Sequence, residues 1–421
     1  MLFLYNIGIR IYSLLLWLIS PFNPKAKLWI KGRKKLLDNI AGRIDNSKKN
    51  VWFHFPSLGE FEQGRPVLEK IKQEYPDKSI IITFYSPSGY EVRKNYLLAE
   101  HVFYLPVDTP ANAKKFVHLI NPEVSIFTKY DYWYHYFKEL NKQNIPLFVI
   151  SAIFRENYSV FKWYGGVERQ VLSFITKIFL QDEESKSLLQ RIGITEVVVA
   201  GDTRFDRVVE NAAKPKVIPE VQAFCADSNV FIAGSTWAQD EKHIAQLLNQ
   251  YPDWKFIIAP HEISESRIKS LTELISEALK FSDIVVLNSS PNLSPQTSDL
   301  KKFSDKQVLI IDNMGMLSSL YQYGHIAYIG GGFGVGIHNT LEAATFGLPV
   351  IFGPNYYKFR EARELINEEA AFSIKDQDEL KDIMSRLQDT IFRVHSGQTA
   401  KKYVQDHTGA TEIIFQHIYK R

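Results

Sequence analysis

Ile326-Ala327-Tyr328-Ile329 runs into Gly330-Gly331-Gly332-Phe333-Gly334-Val335-Gly336-Ile337-His338-Asn339-Thr340-Leu341-Glu342, and Gly347-Leu348-Pro349-Val350-Ile351-Phe352-Gly353-Pro354 follows shortly after. A short apolar run bounded by glycine reads as a buried parallel strand. The glycines read as a turn whose backbone N–H groups can approach a phosphate, and Asn339 as the cap of a helix that starts there. Glu342 then lies in the first helical turn, where its carboxylate can accept two hydrogen bonds from the hydroxyls of a ribose. The same pattern also suits a plain strand-to-helix turn with a favourable charge at the helix N-terminus. A dinucleotide fingerprint fits worse, because the glycines miss the G-x-G-x-x-G register and the segment lies late in the chain.

On the N-terminal side of this turn, short apolar runs alternate with amphipathic segments: residues 51–55, 79–84, 101–105, 124–127, 146–150, 175–180 and 196–200. After a break the pattern resumes at 230–233, 255–259, 284–287, 307–311, 326–329 and 349–352. This alternation predicts an α/β fold with parallel sheets and crossover helices. At 421 residues the chain is long for one core, which argues for two Rossmann-like domains. The stretch Asn211-Ala212-Ala213-Lys214-Pro215-Lys216-Val217-Ile218-Pro219 reads as the linker, dividing a first domain over residues 23–210 from a second over 220–421. Residues 289–304, rich in Ser, Pro, Asn and Asp, read as a surface loop. Open parallel sheets bind ligands beyond the carboxyl ends of their strands, so the expected site is a cleft onto which both domains present those ends.

Composition narrows the partners. A formal charge of +3 and the absence of a zinc-finger or aromatic RNA-binding signature argue against a nucleic-acid binder. The single cysteine, Cys225, excludes an internal disulfide and agrees with a reducing compartment. Residues 1–22 are strongly apolar, interrupted by Arg10, and read as a membrane anchor helix. A central Arg costs about +2.5 to +3.5 kcal/mol against roughly −0.3 to −0.6 for each apolar residue, so a full span and an interfacial helix both remain open. No A-x-A site follows, which argues against a cleaved leader. Lys25, Lys27, Lys31, Arg33, Lys34 and Lys35 should hold this end to anionic lipid on the cytoplasmic face.

Polar motifs gather just after the expected strands. Ser57-Leu58-Gly59-Glu60 places Glu60 at a helix start, either as a base that takes a proton from an attacking hydroxyl or as one half of a capping box with Ser57. Lys129-Tyr130-Asp131 follows residues 124–127 and can face an acceptor. In Gly201-Asp202-Thr203-Arg204-Phe205-Asp206, Arg204 can neutralise a phosphate or sugar carboxylate, or pair with Asp202 or Asp206. Gly234-Ser235-Thr236 offers small residues and hydroxyls to an oxygen-rich ligand, and Pro260-His261 and Met314-Gly315-Met316 also sit at strand ends. The D-x-D of Asp376-Gln377-Asp378 precedes a helical run and reads as a cap. His261 and His338 read as isolated histidines of loops or packing, not as metal ligands. No G-x-x-x-x-G-K-[ST] occurs, which excludes a P-loop.

Taken in order, these motifs resemble the 3-deoxy-D-manno-octulosonic acid (Kdo) transferases of Gram-negative bacteria over nearly the whole chain. That family's S-V-G-E is similar to Ser57-Leu58-Gly59-Glu60, its G-N-x-K-F-D to Gly201 through Asp206, its A-G-S-T to Ala233-Gly234-Ser235-Thr236, and its G-H-N-x-L-E-P loop to the late glycine turn. Its G-P-x-x-x-x-F matches Gly353 through Phe359. The resemblance implies a GT-B architecture, with the acceptor held by the first domain and CMP-Kdo by the second. It also implies inverting transfer of Kdo to the lipid A precursor with no metal or other cofactor, at the cytoplasmic face of the cell inner membrane. Glu60 would be the general base, supported by Asp131 and Arg204. The donor would meet Ser235, Thr236, Pro260, His261, Met314, Gly315, Met316, Asn339, Thr340, Leu341 and Glu342. Four residues depart from the family pattern. His261 stands where an arginine is usual, so that phosphate charge falls to Arg267 or to backbone dipoles; Met316 replaces a glutamate; and Lys129 and Asp131 replace two glutamates. Two other readings stay open: a GT-B transferase or epimerase that uses a UDP-sugar, and a membrane scaffold that keeps the fold without the chemistry.

Overall fold

The computed structural model describes residues 2–45, 47–289 and 305–420, and the surface loop expected over 289–304 lies almost wholly outside them. Two compact units emerge: residues 1–207 with 408–421, and residues 208–407. Among the described residues, each unit is built on one seven-stranded parallel sheet.

The first sheet contains β1 (Asn50–Phe55), β2 (Ser79–Phe84), β3 (His101–Tyr104), β4 (Pro122–Thr128), β5 (Leu147–Ala152), β6 (Lys177–Leu180) and β7 (Val197–Val199), in the order β3-β2-β1-β4-β5-β6-β7. Helices cover both of its faces, so every residue of β1 is buried. Along that strand Trp52 enters one core cluster, while Val51, Phe53 and Phe55 enter the other. The strand order reverses between β1 and β4, and the loops leaving their carboxyl ends diverge there, the place where such sheets carry their sites.

The second sheet contains β8 (Asn229–Thr236), β9 (Trp254–Pro260), β10 (Leu279–Lys280), β11 (Val308–Ile310), β12 (Ile326–Ile329), β13 (Val350–Phe352) and β14 (Ala371–Ser373), in the order β10-β11-β9-β8-β12-β13-β14. Its reversal lies between β8 and β12. Residues 284–287, read above as a strand, belong instead to the helix Phe281–Ser289. A four-residue apolar run fits either periodicity, and here Ile284 is buried while Val285 is exposed. The short strands β10 and β14 carried too little pattern to be foreseen.

Two expected boundaries move. The second domain does not extend to residue 421. The helix Ala410–Tyr419 packs on the first sheet, where Ile414 and Phe415 are fully buried with Phe53 and Ile82. Asp206 holds its start, accepting from the Gly409 N–H (2.6 Å), the Thr411 N–H (2.7 Å) and the Thr411 hydroxyl (2.6 Å). The segment 211–219, read as a linker, is stitched into the second unit. There the Lys216 N–H donates to Ser319 Oγ (3.2 Å) and the Ile218 N–H to the Tyr323 hydroxyl (2.8 Å). The units divide at Arg207/Val208, inside the helix Thr203–Ala213.

Ahead of the first sheet, the helix Leu2–Ile19 has 18 residues with a mean hydropathy of 1.7 and none fully buried. At about 1.5 Å per residue it is long and apolar enough to cross a membrane. One stripe touches the first unit: the Tyr5 hydroxyl donates to Asp108, Asn6 Oδ1 lies 2.6 Å from His135 Nε2, and Tyr12 meets Trp29 and Tyr85. Phe3, Leu4, Leu14, Trp17 and Phe22 stay exposed. Arg33, counted above among lipid-facing cations, is committed to the protein. Its guanidinium donates to the Leu105 and Tyr85 carbonyls (2.9 and 2.8 Å) and stacks on Trp29 at 3.9 Å.

Candidate active site

In the first unit, the loops after β1 and β4 converge on Glu60. Ser57 Oγ caps the helix Leu58–Glu74 by accepting from the Gly59 N–H at 3.3 Å, and the Ser57 hydroxyl donates to Glu60 Oε2. Glu60 therefore does not reach back to the Ser57 N–H as a capping box would. Its Oε1 lies 3.7 Å from Lys129 Nζ, and its side chain is 22% exposed. This carboxylate has one structural partner, one cation and a path to solvent, at a helix N-terminus that favours its charge.

Close packing sets that position. A Cβ on Gly64 would lie 2.4 Å from the Phe55 ring and 2.9 Å from Thr128 Oγ1, so glycine lets the helix sit directly on β1 and β4. Lys129 holds a left-handed φ of 59° at the end of β4, an uncommon conformation outside glycine. The neighbouring Tyr130 hydroxyl titrates above its usual range, first through burial, then through Tyr158, with the Glu60 charge adding a smaller push.

Asp131 has a partner that the sequence did not announce. His54, fully buried at the end of β1, directs Nε2 at Asp131 Oδ2 (2.6 Å) and Nδ1 at Thr83 Oγ1 (2.8 Å). Trp52 Nε1–H can only donate, and it points at the same Thr83 oxygen at 2.8 Å. The Thr83 hydroxyl itself donates to the Phe53 carbonyl at 3.3 Å, so Thr83 ties the His54 ring to Trp52 and the β1 backbone. His54 thus orients Asp131, which follows Lys129 by two residues in the same loop. Arg204 takes the structural alternative: its Nε and Nη2 meet Asp202 Oδ2 at 2.8 and 2.7 Å, and its N–H donates to Asp202 Oδ1 at 2.9 Å.

In the second unit, three loops cross almost backbone to backbone. A Cβ on Gly330 would lie 2.3 Å from the Ser235 carbonyl, and one on Gly332 would lie 2.5 Å from Gly353 N. Gly234 abuts Tyr321 and Leu317, bringing in the helix that follows Met316. Ser235 is left-handed (φ 54°) at a register break at the end of β8, a strained position of the kind found at ligand sites.

Asp240, only 1% exposed, ties these loops together. Its carboxylate accepts from the Tyr328 hydroxyl (2.8 Å), the Gly331 N–H (3.0 Å) and the Trp237 N–H (2.8 Å). The sequence offered one clue to it, an acidic residue three positions after Trp237 at a helix start. Beside it Glu241, equally buried, accepts from the Thr236 hydroxyl (2.8 Å) and from Arg267. Arg267 therefore neutralises a buried carboxylate, which corrects its reading as a phosphate cation, and the Thr236 hydroxyl is likewise committed.

His261 and His338 are not isolated. Their rings stack at 4.3 Å, Trp237 stacks on His261 at 4.9 Å, and Trp237 Nε1 donates to His338 Nε2 at 3.2 Å. Burial, then the neighbouring His261, lower the His338 pKa below its ordinary 6.5, while Asp240 opposes. As pH falls through 6.5 the unfolded chain takes up a proton before the native ring does. Stability is therefore full above that pH and declines below it, by at most about 1.4 kcal/mol per pH unit for one proton. We expect His338→Asn to flatten the stability-pH profile between about pH 5 and 7 in thermal melts; an unchanged slope would remove His338 as its source.

Asn339 Oδ1 accepts from the Leu341 N–H and its Nδ2 donates to Glu342 Oε1, both at 3.1 Å, so Asn339 caps the short helix and aims the carboxylate. Thr340 Oγ1 is buried with no hydrogen-bond partner, and the Leu341 side chain belongs to the core. Pro260 ends β9, Gly315 supplies a left-handed turn (φ 87°), Met314 is exposed and Met316 half-buried. Asp376 of the D-x-D caps the helix Gln377–Arg386, accepting from the Asp378 and Glu379 N–H groups at 3.0 Å.

A sequence-family model described as 3-deoxy-D-manno-octulosonic-acid transferase (Kdo transferase) matches residues 32–207. The 3-deoxy-D-manno-octulosonic acid transferase of Chlamydia muridarum is 27% identical over 351 residues, 80% of this chain and 78% of that protein. That of Aquifex aeolicus is 24% identical over 356 residues, covering 82% and 87%. Among solved structures, UDP-GlcNAc 2-epimerase from Neisseria meningitidis bound to UDP-GlcNAc superposes with a TM-score of 0.64 at 17% identity, over 88% of this chain and 100% of that one. MurG of Acinetobacter baumannii superposes with a TM-score of 0.54 at 12% identity, over 89% and 100%. At such identities the structural likeness carries the GT-B fold alone.

Proposed function

Because the chain belongs to the Kdo transferase family and is a glycosyltransferase, we propose that it moves Kdo from CMP-Kdo to the lipid A precursor, with inversion at the sugar and without a metal. Glu60 acts as the general base. Its Oε1 takes the proton of the acceptor hydroxyl as the new glycosidic bond forms, and CMP departs as a stable leaving group. Lys129, 3.7 Å from Oε1, balances the charge of the carboxylate, and Asp131, oriented by His54, adds acceptor-side charge. The observation that carries this reading is a carboxylate at the β1–β4 switch point, partly exposed and fixed by Ser57 and Lys129. In the second unit, the crossing of Ser235, the glycine turn and Asn339 supports a nucleotide site, with Glu342 positioned to accept from ribose hydroxyls and the Trp237–His261–His338 stack offering a flat surface.

The decisive experiment supplies purified protein with CMP-Kdo and tetraacylated lipid A precursor and reads the product by mass spectrometry. Addition of Kdo is expected. Thermal stabilisation by CMP but not UMP should accompany it, whereas stabilisation by UMP alone would replace this donor with a UDP-sugar.

The protein works at the cytoplasmic face of the cell inner membrane in this reading. Support comes from the helix Leu2–Ile19, attached along one stripe while its other side is exposed and apolar, and from the lysines that follow it. Deleting residues 1–22 is expected to release the protein from liposomes while retaining part of its activity on detergent-dispersed acceptor. Loss of Tyr5 from the buried Asp108 should also cost about 1–2 kcal/mol in denaturant titrations, and a truncated protein that still floats with liposomes would sink the anchor.

A further inference from the structure

A cavity of about 390 Å³ opens in the first unit beside the Glu60 loop, walled by Tyr130, Tyr132, Phe154, Tyr158, Val160 and Leu172. Its size suits a small ligand, and aromatic and aliphatic side chains dominate its wall. Tyr130 directly follows Lys129, the cation 3.7 Å from Glu60. Two polar atoms within this apolar wall are buried without partners: the Tyr132 hydroxyl, and Oε2 of Glu168, whose Oε1 accepts from Ser159 at 2.7 Å. Buried polar groups are rarely left unpaired, so two such atoms in the side chains of this wall favour a ligand that brings a hydrogen-bond donor to them as it enters.

The rim points to the source of that ligand. Trp163 is 90% exposed and Tyr164 51%, on the loop that follows the cavity residues Ser159 and Val160. This loop is held rigidly: Arg169 donates to the Val160 and Lys162 carbonyls (2.8 and 2.9 Å), and Gly165 packs so tightly that a Cβ would lie 2.2 Å from the Ser159 carbonyl. A fixed, exposed Trp-Tyr pair is the composition of a membrane-interface anchor. The apolar helix Leu2–Ile19 reaches the same core cluster, where Tyr5 contacts Tyr134, whose hydroxyl donates to Gln170 two residues along from Glu168.

We propose that this cavity holds one acyl chain of the lipid acceptor, with a hydroxyl on that chain donating to Glu168 Oε2 and hydrogen-bonding Tyr132. The proposal rests on the lipid-acceptor reading above and adds how the acceptor is registered against Glu60.

The test uses the full-length protein in nanodiscs with two photoreactive probes, a 3-hydroxytetradecanamide and the plain tetradecanamide, and maps labelled peptides by mass spectrometry. Labelling should concentrate between residues 130 and 172, stronger for the hydroxylated probe, and Leu172→Trp should reduce it at least tenfold. Tyr132→Phe removes only an unpaired hydroxyl, so it should keep the melting temperature and the plain-probe labelling but lower the preference for the hydroxylated probe by about fivefold to thirtyfold. If Leu172→Trp does not fold, Tyr132→Phe decides alone. Labelling outside this region, or an unchanged preference in Tyr132→Phe, overturns the cavity assignment. These readouts need no turnover: correct labelling in a protein that transfers no Kdo to lipid would overturn the acceptor reading and leave the cavity standing.

Discussion

Glu60→Gln is expected to lower turnover about 10²- to 10⁴-fold, the usual worth of a positioned general base, while leaving the affinity for CMP unchanged. The substitution is nearly isosteric, and the Gln carbonyl can still accept from the Ser57 hydroxyl, so the helix start should survive. Lost are the basicity of the carboxylate and its attraction to Lys129. Undiminished transfer by Glu60→Gln would place the base elsewhere.

Asp240→Ala is expected to do the reverse, damaging donor binding and the second unit together. Three donors converge on this carboxylate, and removing it leaves the Tyr328 hydroxyl and the N–H groups of Gly331 and Trp237 unpaired. Each unsatisfied buried donor costs about 1–3 kcal/mol, so a loss of roughly 3–5 kcal/mol is expected after partial rescue by water. Hydrogen exchange at Gly331 and Trp237 should rise before global unfolding, and CMP affinity should fall at least tenfold because the glycine turn loses its anchor. Two units melting in one chain make a single unfolding free energy ambiguous, so the exchange rates are the safer readout. Protection at Gly331 that matches the wild type would show that the backbone crossings alone hold the turn.

Much of this protein was legible before any coordinate. The seven strands of the first sheet follow from apolar runs buried on both faces, and the places of Glu60 and the glycine turn, just after β1 and β12, follow from where those runs end. Failures had local causes. Residues 284–287 were too short a run to separate helix from strand, and a proline-containing segment looked like a linker although its N–H groups are taken by Ser319 and Tyr323. Arg204, Arg267 and Arg33 each looked available to a ligand, because a sequence shows a charge but not its partner.

By itself, then, the sequence determined the class of fold, the positions where strands hand over to loops, and the residue types available there, because these depend on periodicity and neighbouring side chains. Only the tertiary structure decided which charges are spent inside the protein, that His54 turns Asp131, that Asp240 anchors the glycine turn, and that the last helix returns to the first sheet. Those outcomes depend on groups far apart in sequence meeting where water is excluded, and no local pattern encodes such a meeting.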